Sequence, residues 1–420
     1  MKILIIHQNF PGQYKHLGPA LVKAGHEVRA LTPKARKVGT WNGIRAYPYK
    51  IARASARDIH PWLSDFETKL IRGDHCYQAA IRLRDEGGFT PDLILAHFGW
   101  GESLFLRDVW PGARIGLYCE LYHRSGTPFV GFAPEFDSPS PGRDALRLRM
   151  KNINNLLHFQ MGDAGISPTQ FQADTYPPEF RDRISVIHDG VDTDTLVPDP
   201  KVRLEIEDGP VLTRADEVIT FVNRNLEPYR GYHIFMRALP RLLKERPNAR
   251  VLIVGGDEVS YGARPPKGQT WKQIFIDEVR GQIPDPDWAR VHFLGRIPYD
   301  QFTRLLQVSR LHIYLTYPFV LSWSLLEAMS VGAAILASGT DPVREAITHD
   351  ENGRLVDFFD GDALVDQAVE MLEDRTLRDR LGKAARAHAR AHYDLKTVCL
   401  PRQLDWVDSL AQLSPRPIPI

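Results

Sequence analysis

Short apolar runs alternate with amphipathic stretches along most of the chain. "KILII" at 2–6 is rich in β-branched residues, which is typical of a buried parallel strand. "YKHLGPALVKAGH" has helical spacing and reaches Gly25, a predicted helix end, and "EVRALTP" is the next apolar run. Strand, glycine turn, helix and strand form a βαβ unit, and such crossovers build parallel sheets.

The same alternation predicts further elements in both halves of the chain. Strands are predicted at 91–99, 113–120, 163–169, 184–192, 217–225, 249–256, 291–298, 311–316, 333–338 and 352–357. Helices are predicted at 60–87, 143–160, 300–309, 324–331, 342–348, 361–373 and through most of 374–410. The charged, proline-rich stretch 194–216 is interpreted as a linker, and "SPRPIPI" as a loose terminus.

This order of elements predicts an α/β fold with two doubly wound domains. A chain of 420 residues is long enough for two hydrophobic cores. We expect the two domains to face each other across a cleft. In open α/β sheets, ligands bind beyond the carboxyl ends of the strands, so polar residues at those ends are the candidates for function.

Composition narrows the classes of function. The 53 basic and 52 acidic residues give a net charge of +1, so no global field favours nucleic acid. Three widely spaced cysteines suit a reducing compartment and neither a zinc site nor a disulfide framework. With no signal peptide and no run of about 20 apolar residues, the sequence predicts a cytoplasmic protein; peripheral contact with the inner face of a membrane stays open.

Two predicted strand ends carry groups suited to phosphate. After the strand at 2–6, Gly12 in "HQNFPGQ" lets backbone amides approach an anion, although a plain Pro-Gly turn explains it equally well. "NRNLEPYRGYH" carries Arg224 and Arg230 six residues apart, on a predicted loop and at a helix start. Two guanidiniums suit a diphosphate and stabilise charge on a leaving phosphate. The alternative is that Arg230 pairs with Glu227 as surface charge.

The motif "SWSLLEAMSVG" opens a predicted helix. Ser322 or Ser324 is the predicted N-cap, and exposed amides there favour a phosphate or a sugar oxygen. Glu327 is placed in the first turn, where it can accept hydrogen bonds from a ribose diol. The alternative is that Glu327 is the capping-box partner of Ser324. "GRIP" at 295–298 can offer backbone groups to a base ring, although a plain turn explains it too.

The first half has polar residues at two predicted strand ends. They lie in "AHFGWGES" and "YCELYHRSG", and they are His97, Glu120, Tyr122 and His123. A lone histidine at a strand end is more often a hydrogen-bonded structural group than a ligand contact. No Ser-His-Asp order, metal-ligand spacing or phosphate-binding Walker loop occurs in the sequence.

Taken together, these stretches resemble the retaining glycosyltransferases of family 4, which have the GT-B fold. "VIHDGVDTDTLVPD" is similar to that family's "VIxNGVDxxxFxP" signature, with Asp189 where asparagine is usual. The stretch from "FVNRN" to "VLIVGG" is similar to "GRLxxxKGxxxLLxA…LxIVG", and "LLEAMSVGAAILAS" to "LEAMAxGxPVxA". Several ordered motifs at family spacing, over most of the chain, make the resemblance specific.

The resemblance implies roles for individual residues. Arg224 and Arg230 fall where the family has the arginine and lysine that hold the donor diphosphate, and Glu327 falls on the second glutamate of its E-x7-E motif, a ribose contact. In the family a histidine often contacts the donor sugar. It has no clean match in this sequence, where Glu120 and His123 are nearest to its position, and Glu120 is the third catalytic candidate. The remaining implied contacts are Gly12 at the diphosphate, Ser322, Trp323 and Ser324 beside diphosphate and sugar, and Arg296 and Ile297 at the base.

Phe319 is a departure from the family pattern. It stands eight residues before Glu327, where the first glutamate of E-x7-E holds hydroxyls of the donor sugar. A phenyl ring cannot do this, so the sugar is held differently, its identity has changed or activity is lost. With His97, Tyr122 and His123, Phe319 completes the candidates for contact with sugar or acceptor.

The implied function is transfer of a sugar, with retention, from a nucleotide-diphosphate sugar to a hydroxyl acceptor in glycan, glycolipid or glycoprotein assembly. Residues 198–395 would bind the donor and residues 1–197 the acceptor, while a C-terminal helix in 396–420 would cross back onto the first domain. No metal or resident cofactor is expected, because arginines supply the positive charge. The alternatives are a non-catalytic sugar-nucleotide-binding partner in a glycosylation complex and a nucleotide-sugar epimerase or phosphorylase of the same fold.

Overall fold

The computed structural model describes residues 1–124, 129–136, 140–207 and 209–418, and divides into two compact units. The first unit comprises Met1–Gly131, Asp137–Asp189 and Cys399–Ile420, and the second comprises Phe132–Phe136 and Gly190–Val398. The divisions predicted from the sequence lie at 197/198 and 395/396. The end of "YCELYHRSG" and the last two residues of the predicted loose terminus lie outside the described residues.

The strands follow the apolar runs of the sequence. They are β1 (Lys2–Ile6), β2 (Glu27–Thr32), β3 (Gly39–Trp41), β4 (Ile44–Pro48), β5 (Leu93–Ala96), β6 (Arg114–Tyr118), β7 (Ala164–Ser167), β8 (Ile184–Val186), β9 (Arg203–Glu205), β10 (Val211–Thr213), β11 (Val218–Asn225), β12 (Arg250–Gly256), β13 (Val291–Gly295), β14 (Leu311–Tyr314), β15 (Ile335–Ser338) and β16 (Arg354–Val356).

The α-helices lie between these strands and after the last of them. They are α1 (Leu17–Lys23), α2 (Ser64–Asp85), α3 (Leu106–Val109), α4 (Pro141–Lys151), α5 (Ile153–Met161), α6 (Gln170–Asp174), α7 (Pro178–Arg181), α8 (Tyr232–Glu245), α9 (Trp271–Arg280), α10 (Asp285–Trp288), α11 (Tyr299–Val308), α12 (Trp323–Ser330), α13 (Asp341–Arg344), α14 (Gly361–Glu373), α15 (Arg375–His392) and α16 (Leu400–Ala411).

Over the described residues, the first unit is built on an eight-stranded sheet in the order β3-β4-β2-β1-β5-β6-β7-β8. Neighbouring strands are parallel except for the β3–β4 hairpin. Four of the five residues of β1 are buried, because helices cover both faces of a parallel sheet. The last helix, α16, belongs to this unit, and its Trp406 and Val407 share a core with Ile3 and Ile5.

Over the described residues, the second unit has a six-stranded parallel sheet in the order β13-β12-β11-β14-β15-β16. This is the doubly wound order, in which the chain reverses direction across the sheet at its first strand. Pro240 lies inside α8 and does not end it. No helix among the described residues is long and apolar enough to cross a membrane.

Two sequence-based element predictions are wrong. The stretch 194–216 is not a bare linker: β9 and β10 pair antiparallel within it, and Leu204, Ile206 and Leu212 join the core of the second unit. The predicted helix at 143–160 is two helices that meet at Asn152. Its side chain is engaged with the backbone of His123, through bonds to the N–H and the carbonyl.

Candidate functional site

A pocket of about 450 Å³ opens at the carboxyl ends of β11, β12 and β13. Three of the residues implied by the family resemblance line it: Arg224, Arg296 and Ile297. Tyr299, Glu258 and the backbone at Gly255 complete much of its wall. The pocket therefore brings together residues that lie more than 70 positions apart in the sequence, at the edge where open α/β sheets bind ligands.

A β-bulge positions Arg224. Val222 pairs with Val254 and Asn225 pairs with Gly256, so β11 has one more residue than β12 between these two pairs. Such a bulge bends the strand and turns a side chain in a new direction. Arg224 therefore lies in a bulged strand and not on a loop, as the sequence had suggested, and it is exposed toward the pocket.

Arg296 is held at the wall of this pocket by two oxygen atoms. Its Nη2 donates to Oδ1 of Asn225 at 3.1 Å and to Oε2 of Glu258 at 2.5 Å. The hydrogen bond and the charge of Arg296 lower the pKa of the Glu258 carboxyl. These two bonds place the guanidinium at the pocket wall, where its planar face suits stacking against a flat ring.

Glu327 is buried and bonded to the pocket wall. It is only 7% exposed, and the hydroxyl of Tyr299 donates to its Oε1 at 2.7 Å. Glu327 is the fifth residue of α12 and not in its first turn, and Ser322 is the N-cap, with its Oγ accepting from the N–H of Ser324. The capping-box alternative is therefore wrong, since Ser324 lies inside the helix.

Removal of the Tyr299 hydroxyl is expected to strengthen nucleotide binding. The hydroxyl is bonded to the carboxylate that the family resemblance implies as a ribose contact, so a ligand diol would have to displace the hydroxyl. Tyr299→Phe keeps the ring and frees the carboxylate, and one hydrogen bond of about 1 kcal/mol corresponds to a gain of up to fivefold in affinity. Calorimetric titration with nucleoside diphosphates measures this. A tenfold loss of affinity would show instead that the hydroxyl itself contacts the ligand.

Arg230 lies in a polar and aromatic shell, and its carbonyl accepts from the side-chain amide of Asn223 in the pocket wall. It is 7% exposed, and its Nη1 donates to Oγ1 of Thr316 and to the carbonyl of Val320, both at 2.9 Å. The rings of Tyr261 and Phe319 lie over the guanidinium, with centroids 5.4 and 6.0 Å from its central carbon. These contacts hold the positive charge in place, and none of these four partners is a carboxylate.

Phe319 is part of that shell. Its ring is 8% exposed and makes edge contacts with Tyr229 and Tyr261, at centroid distances of 5.4 and 4.7 Å. Tyr229 in turn stacks on Tyr317 at 4.5 Å. The position where the family pattern has a sugar-binding glutamate is therefore packed into an aromatic cluster that covers Arg230.

Gly231 lets the chain turn from Arg230 into α8. Its φ is +66°, and a Cβ added to it would lie 2.3 Å from the Cβ of Leu315. Both the left-handed backbone and the close approach require glycine here. The arginine and the start of the following helix are thereby fixed relative to the end of β14.

Glu227 organises the loop that covers Arg230. Its carboxylate accepts hydrogen bonds from the backbone N–H groups of Ser260 and Tyr261 at 3.0–3.2 Å. Burial raises its pKa to about 6, against the opposing effects of these N–H groups and of Arg230 and Arg224. Since Glu227 and Arg230 are both buried, the alternative of a surface ion pair between them is wrong.

Glu227 is expected to make stability depend on pH. Its pKa is higher in the folded protein than the ordinary 4.5, so the folded state keeps a proton that the unfolded chain releases. The resulting stabilisation is full below pH 4.5 and is lost as the pH rises through 6. Compared with Glu227→Gln, the wild type should lose about 2 kcal/mol between pH 4 and pH 7. Urea titrations of both proteins test this, and parallel pH profiles would contradict it.

In the first unit, buried rings lie where β1 and β5 end. His97 is 1% exposed and stacks between Trp100 and Tyr118, at centroid distances of 4.2 and 5.1 Å. Neither of its ring nitrogens has a hydrogen-bond partner among the described residues. Burial lowers its pKa to about 3, so the ring is neutral and offers one donor and one acceptor.

Gly12 lies against His7 in the same group. A Cβ on Gly12 would be 2.1 Å from Cε1 of His7, and its φ is +49°, so only glycine fits. The N–H of Asn9 donates to Nδ1 of His7, and Nε2 lies 2.6 Å from Oε1 of Gln13. This bonding fixes the proton of His7 on Nε2 and leaves the ring a rigid wall beside His97, at a centroid distance of 5.3 Å.

Glu120, Tyr122 and His123 follow β6 on one loop. Oε2 of Glu120 is 3.8 Å from Nε2 of His97, which is beyond hydrogen-bond distance, so the two groups are neighbours but not bonded to each other. The backbone N–H groups of Tyr122 and His123 donate to Thr175 Oγ1 and Asn152 Oδ1. Burial, with the charges of nearby lysines and an arginine, lowers the pKa of His123 well below its ordinary value.

Several residues of these groups had not been singled out from the sequence. They are His7, Trp100, Tyr118, Asn225, Glu258, Tyr261 and Tyr299. His7 and Tyr299 carried a usable signal, because each directly follows a predicted strand or its turn. Glu258 and Tyr261 lie in the stretch 257–270, for which the apolar pattern gives no element.

The chain has two Rossmann-like α/β units, and each carries polar residues at the carboxyl edge of its sheet. This is the architecture of GT-B proteins. Residues 24–196 match the glycosyl transferase family 4 group, and residues 205–388 match the glycosyl transferases group 1. The chain belongs to this group 1 family, with a first half of the family 4 type. The sequence-based assignment of family and fold is confirmed.

Two curated relatives show how far the similarity extends. A phosphatidyl-myo-inositol mannosyltransferase of Mycolicibacterium smegmatis is 32% identical over 200 residues, which is 46% of each chain. A D-inositol 3-phosphate glycosyltransferase of Corynebacterium efficiens is 26% identical over 72% of this chain and 68% of its own. The alignment thus spans about half the length of the mannosyltransferase and two thirds of the second relative.

Solved structures share the fold over nearly the whole chain. Sucrose-phosphate synthase from Thermosynechococcus elongatus gives a TM-score of 0.72 at 19% identity, covering 98% of this chain and all of that one. Anabaena HepE, in complex with UDP and glucose, gives 0.64 at 17% identity, covering 97% of this chain and all of that one. At these identities the likeness establishes the fold alone.

Proposed function

We propose that this protein is a retaining glycosyltransferase that uses a nucleotide-diphosphate sugar as donor. The observation that carries the proposal is the pocket at β11, β12 and β13, where Arg224, Arg296 and the Tyr299–Glu327 pair converge. A volume of about 450 Å³ suits a nucleoside. In this proposal the base stacks on Arg296 and Ile297, and the ribose diol donates to Glu327 in place of Tyr299.

The two arginines act on the diphosphate. Arg224 is exposed and free to close on a ligand, whereas Arg230 is held in its aromatic shell with its charge fixed. Hydrogen-bond donors and positive charges that are already in place around a leaving group stabilise the negative charge that develops on it in the transition state. The amides at the start of α12, beside Ser322, Trp323 and Ser324, would add to this field. We propose that no metal is needed, because these groups supply the positive charge.

The acceptor is proposed to bind the first unit. His97 supports this, since its ring nitrogens are buried without partners among the described residues and suit the hydroxyls of a sugar or polyol. Glu120, 3.8 Å away, would take part in orienting or activating that hydroxyl. The names of the two relatives point to acceptors that carry phosphate on a polyol, and we propose the same class here.

A binding screen followed by turnover tests the proposal. The full chain is titrated with UDP, GDP, ADP and dTDP, and the best ligand is offered as its nucleotide sugars with polyol and polyol-phosphate acceptors. We expect one base to raise the melting temperature clearly above the others, and mass spectrometry to detect a glycosylated product. If no nucleoside diphosphate shifts the melting temperature, the assignment of the pocket is wrong.

A non-catalytic sugar-nucleotide-binding partner is the second candidate function. It is favoured by Phe319 and Tyr261, which cover Arg230 and leave no carboxylate at the position of the family's sugar contact. This candidate predicts nucleotide binding with no transfer and no hydrolysis of any donor. Detection of a glycosylated product at a rate that depends on Arg230 would exclude it.

A further inference from the structure

The chain carries a local excess of positive charge that its net charge of +1 conceals. From 28 to 57 there are eight basic residues and no acidic residue. They are Arg29, Lys34, Arg36, Lys37, Arg45, Lys50, Arg53 and Arg57. Arg29 and Arg53 form ion pairs with Glu27 and Glu67, whereas Lys34 and Lys37 form none with any described residue. Two lysines without counter-ions therefore stand in a stretch that lacks carboxylates.

Both lysines line a second cavity, of about 300 Å³, in the first unit. Its wall comes from the segments that follow β1 and β2 and from the β3–β4 hairpin, so it opens at the carboxyl edge of the sheet. Phe10 and Trp41 line it together, with ring centroids 5.5 Å apart in an edge contact. Aromatic rings beside two ammonium groups suit a ligand that has both a carbon skeleton and an anionic group.

The backbone of Lys34 is tied to the segment that follows β1. Oγ1 of Thr32 donates to the carbonyl of Gln8 and accepts from the N–H of Lys34, which ties the end of β2 to the segment after β1. Burial lowers the pKa of His7 to about 4, and the charge of Lys34 adds to this effect. Lys34 is therefore electrostatically close to the same edge of the sheet at which His7 and His97 lie.

We propose that this cavity binds the phosphate group of the acceptor, with Lys34 and Lys37 as its counter-ions and Phe10 and Trp41 against its carbon skeleton. The inference rests on the proposed function, in which the first unit binds the acceptor, and it assigns the residues that select a phosphorylated one. The phosphate belongs either to a free sugar or polyol phosphate or to the headgroup of a lipid. Ammonium groups recognise both through the same charge-assisted hydrogen bonds.

Equilibrium binding tests the site without any turnover. The full chain is titrated calorimetrically with glucose 6-phosphate and with glucose, and sedimented with vesicles of phosphatidylglycerol or phosphatidylcholine. We expect about tenfold tighter binding of the anionic member in at least one pair. A preference in the soluble pair indicates a free phosphate, and a preference in the vesicle pair indicates a lipid headgroup. Equal binding of the charged and neutral members in both pairs overturns the proposal.

A pair of double variants separates the cavity from diffuse charge. K34Q/K37Q should abolish the preference for the anionic probe. R45Q/R57Q removes two charges of the same segment outside the cavity and should change that preference by less than about twofold. All four residues are exposed, so neither variant should alter the fold, and an unchanged response to the nucleoside diphosphate verifies this. Equal losses in both variants would show diffuse attraction and contradict the site.

Failure of the anion site and failure of the transferase assignment give different results. If the preference for the anionic probe depends on Lys34 and Lys37 while no donor is turned over, the anion site is confirmed and the proposed enzyme activity is wrong. If a donor is turned over but the anionic and the net-neutral probes bind alike, the activity is confirmed and the anion site is wrong.

Discussion

Arg230→Ala is expected to lower kcat for sugar transfer about 10²–10³-fold. The guanidinium is fixed by Thr316 and Val320 and covered by Tyr261 and Phe319, so its charge needs no rearrangement when the diphosphate leaves. The effect should fall on kcat more than on KM, because charge on the leaving phosphate develops only in the transition state. Initial rates over a range of donor concentrations separate the two constants.

The same variant also removes structural hydrogen bonds, so a matched control is required. Loss of the bonds to Thr316 and Val320 is expected to cost about 1–3 kcal/mol of unfolding free energy. Arg230→Lys keeps the charge and should retain activity within about tenfold of wild type. The family pattern, which has a lysine at this position, agrees with this expectation. If the alanine variant turns over as fast as wild type, Arg230 is structural only. Equal inactivity of folded lysine and alanine variants would show that geometry and not charge is essential.

Glu327→Ala is expected to raise KM for the donor about 10–100-fold with a smaller change in kcat. Glu327 is buried, and a hydrogen bond from a ribose diol to its carboxylate would contribute about 1.5–3 kcal/mol to donor binding. Because this contact is the same in the ground and transition states, its loss raises KM more than it lowers kcat. Binding of the nucleoside diphosphate should weaken in parallel, which calorimetry measures directly.

Two variants control for effects on folding and on charge. Glu327→Gln keeps the packing of α12 and one acceptor oxygen, so its loss should lie between those of wild type and alanine. Asp300→Asn removes an exposed carboxylate next to Tyr299 and should leave KM unchanged. An unchanged KM in the alanine variant would remove Glu327 from the nucleotide site, whereas a fall confined to kcat would reassign it to the chemical step.

The parallel sheets followed from the sequence because their strands are nearly continuous apolar runs. The two antiparallel pairs did not, for different reasons. Asn42 and Gly43 both have positive φ and form the tight turn between β3 and β4. An Asn-Gly signal was therefore present, but the flanking strands are short and most of β3 is exposed. β9 and β10 are three residues each, and their charged and proline neighbours mask the buried Leu204 and Leu212.

The candidate site was predictable where it depends on strand ends. Arg224 was singled out because it ends an apolar run, and Arg296 and Ile297 because the family resemblance implied them within "GRIP", which follows another apolar run. The structure brings all three to one pocket. The cover over Arg230 was not predictable, because Tyr229, Tyr261 and Phe319 come from three separate segments and meet only through packing. The bond between Tyr299 and Glu327 likewise joins residues 28 positions apart.

The stereochemistry of transfer tests the central claim most directly. UDP-glucose and GDP-mannose are both α-linked donors, and methanol serves as a small acceptor whose glycoside cannot change its anomeric form in solution. Proton NMR of the product formed from the donor that binds best should show the methyl α-glycoside, with a rate that falls in Arg230→Ala. A methyl β-glycoside would contradict retention. Nucleotide binding without any glycoside of methanol, of a polyol or of a polyol phosphate would contradict the assignment as a transferase.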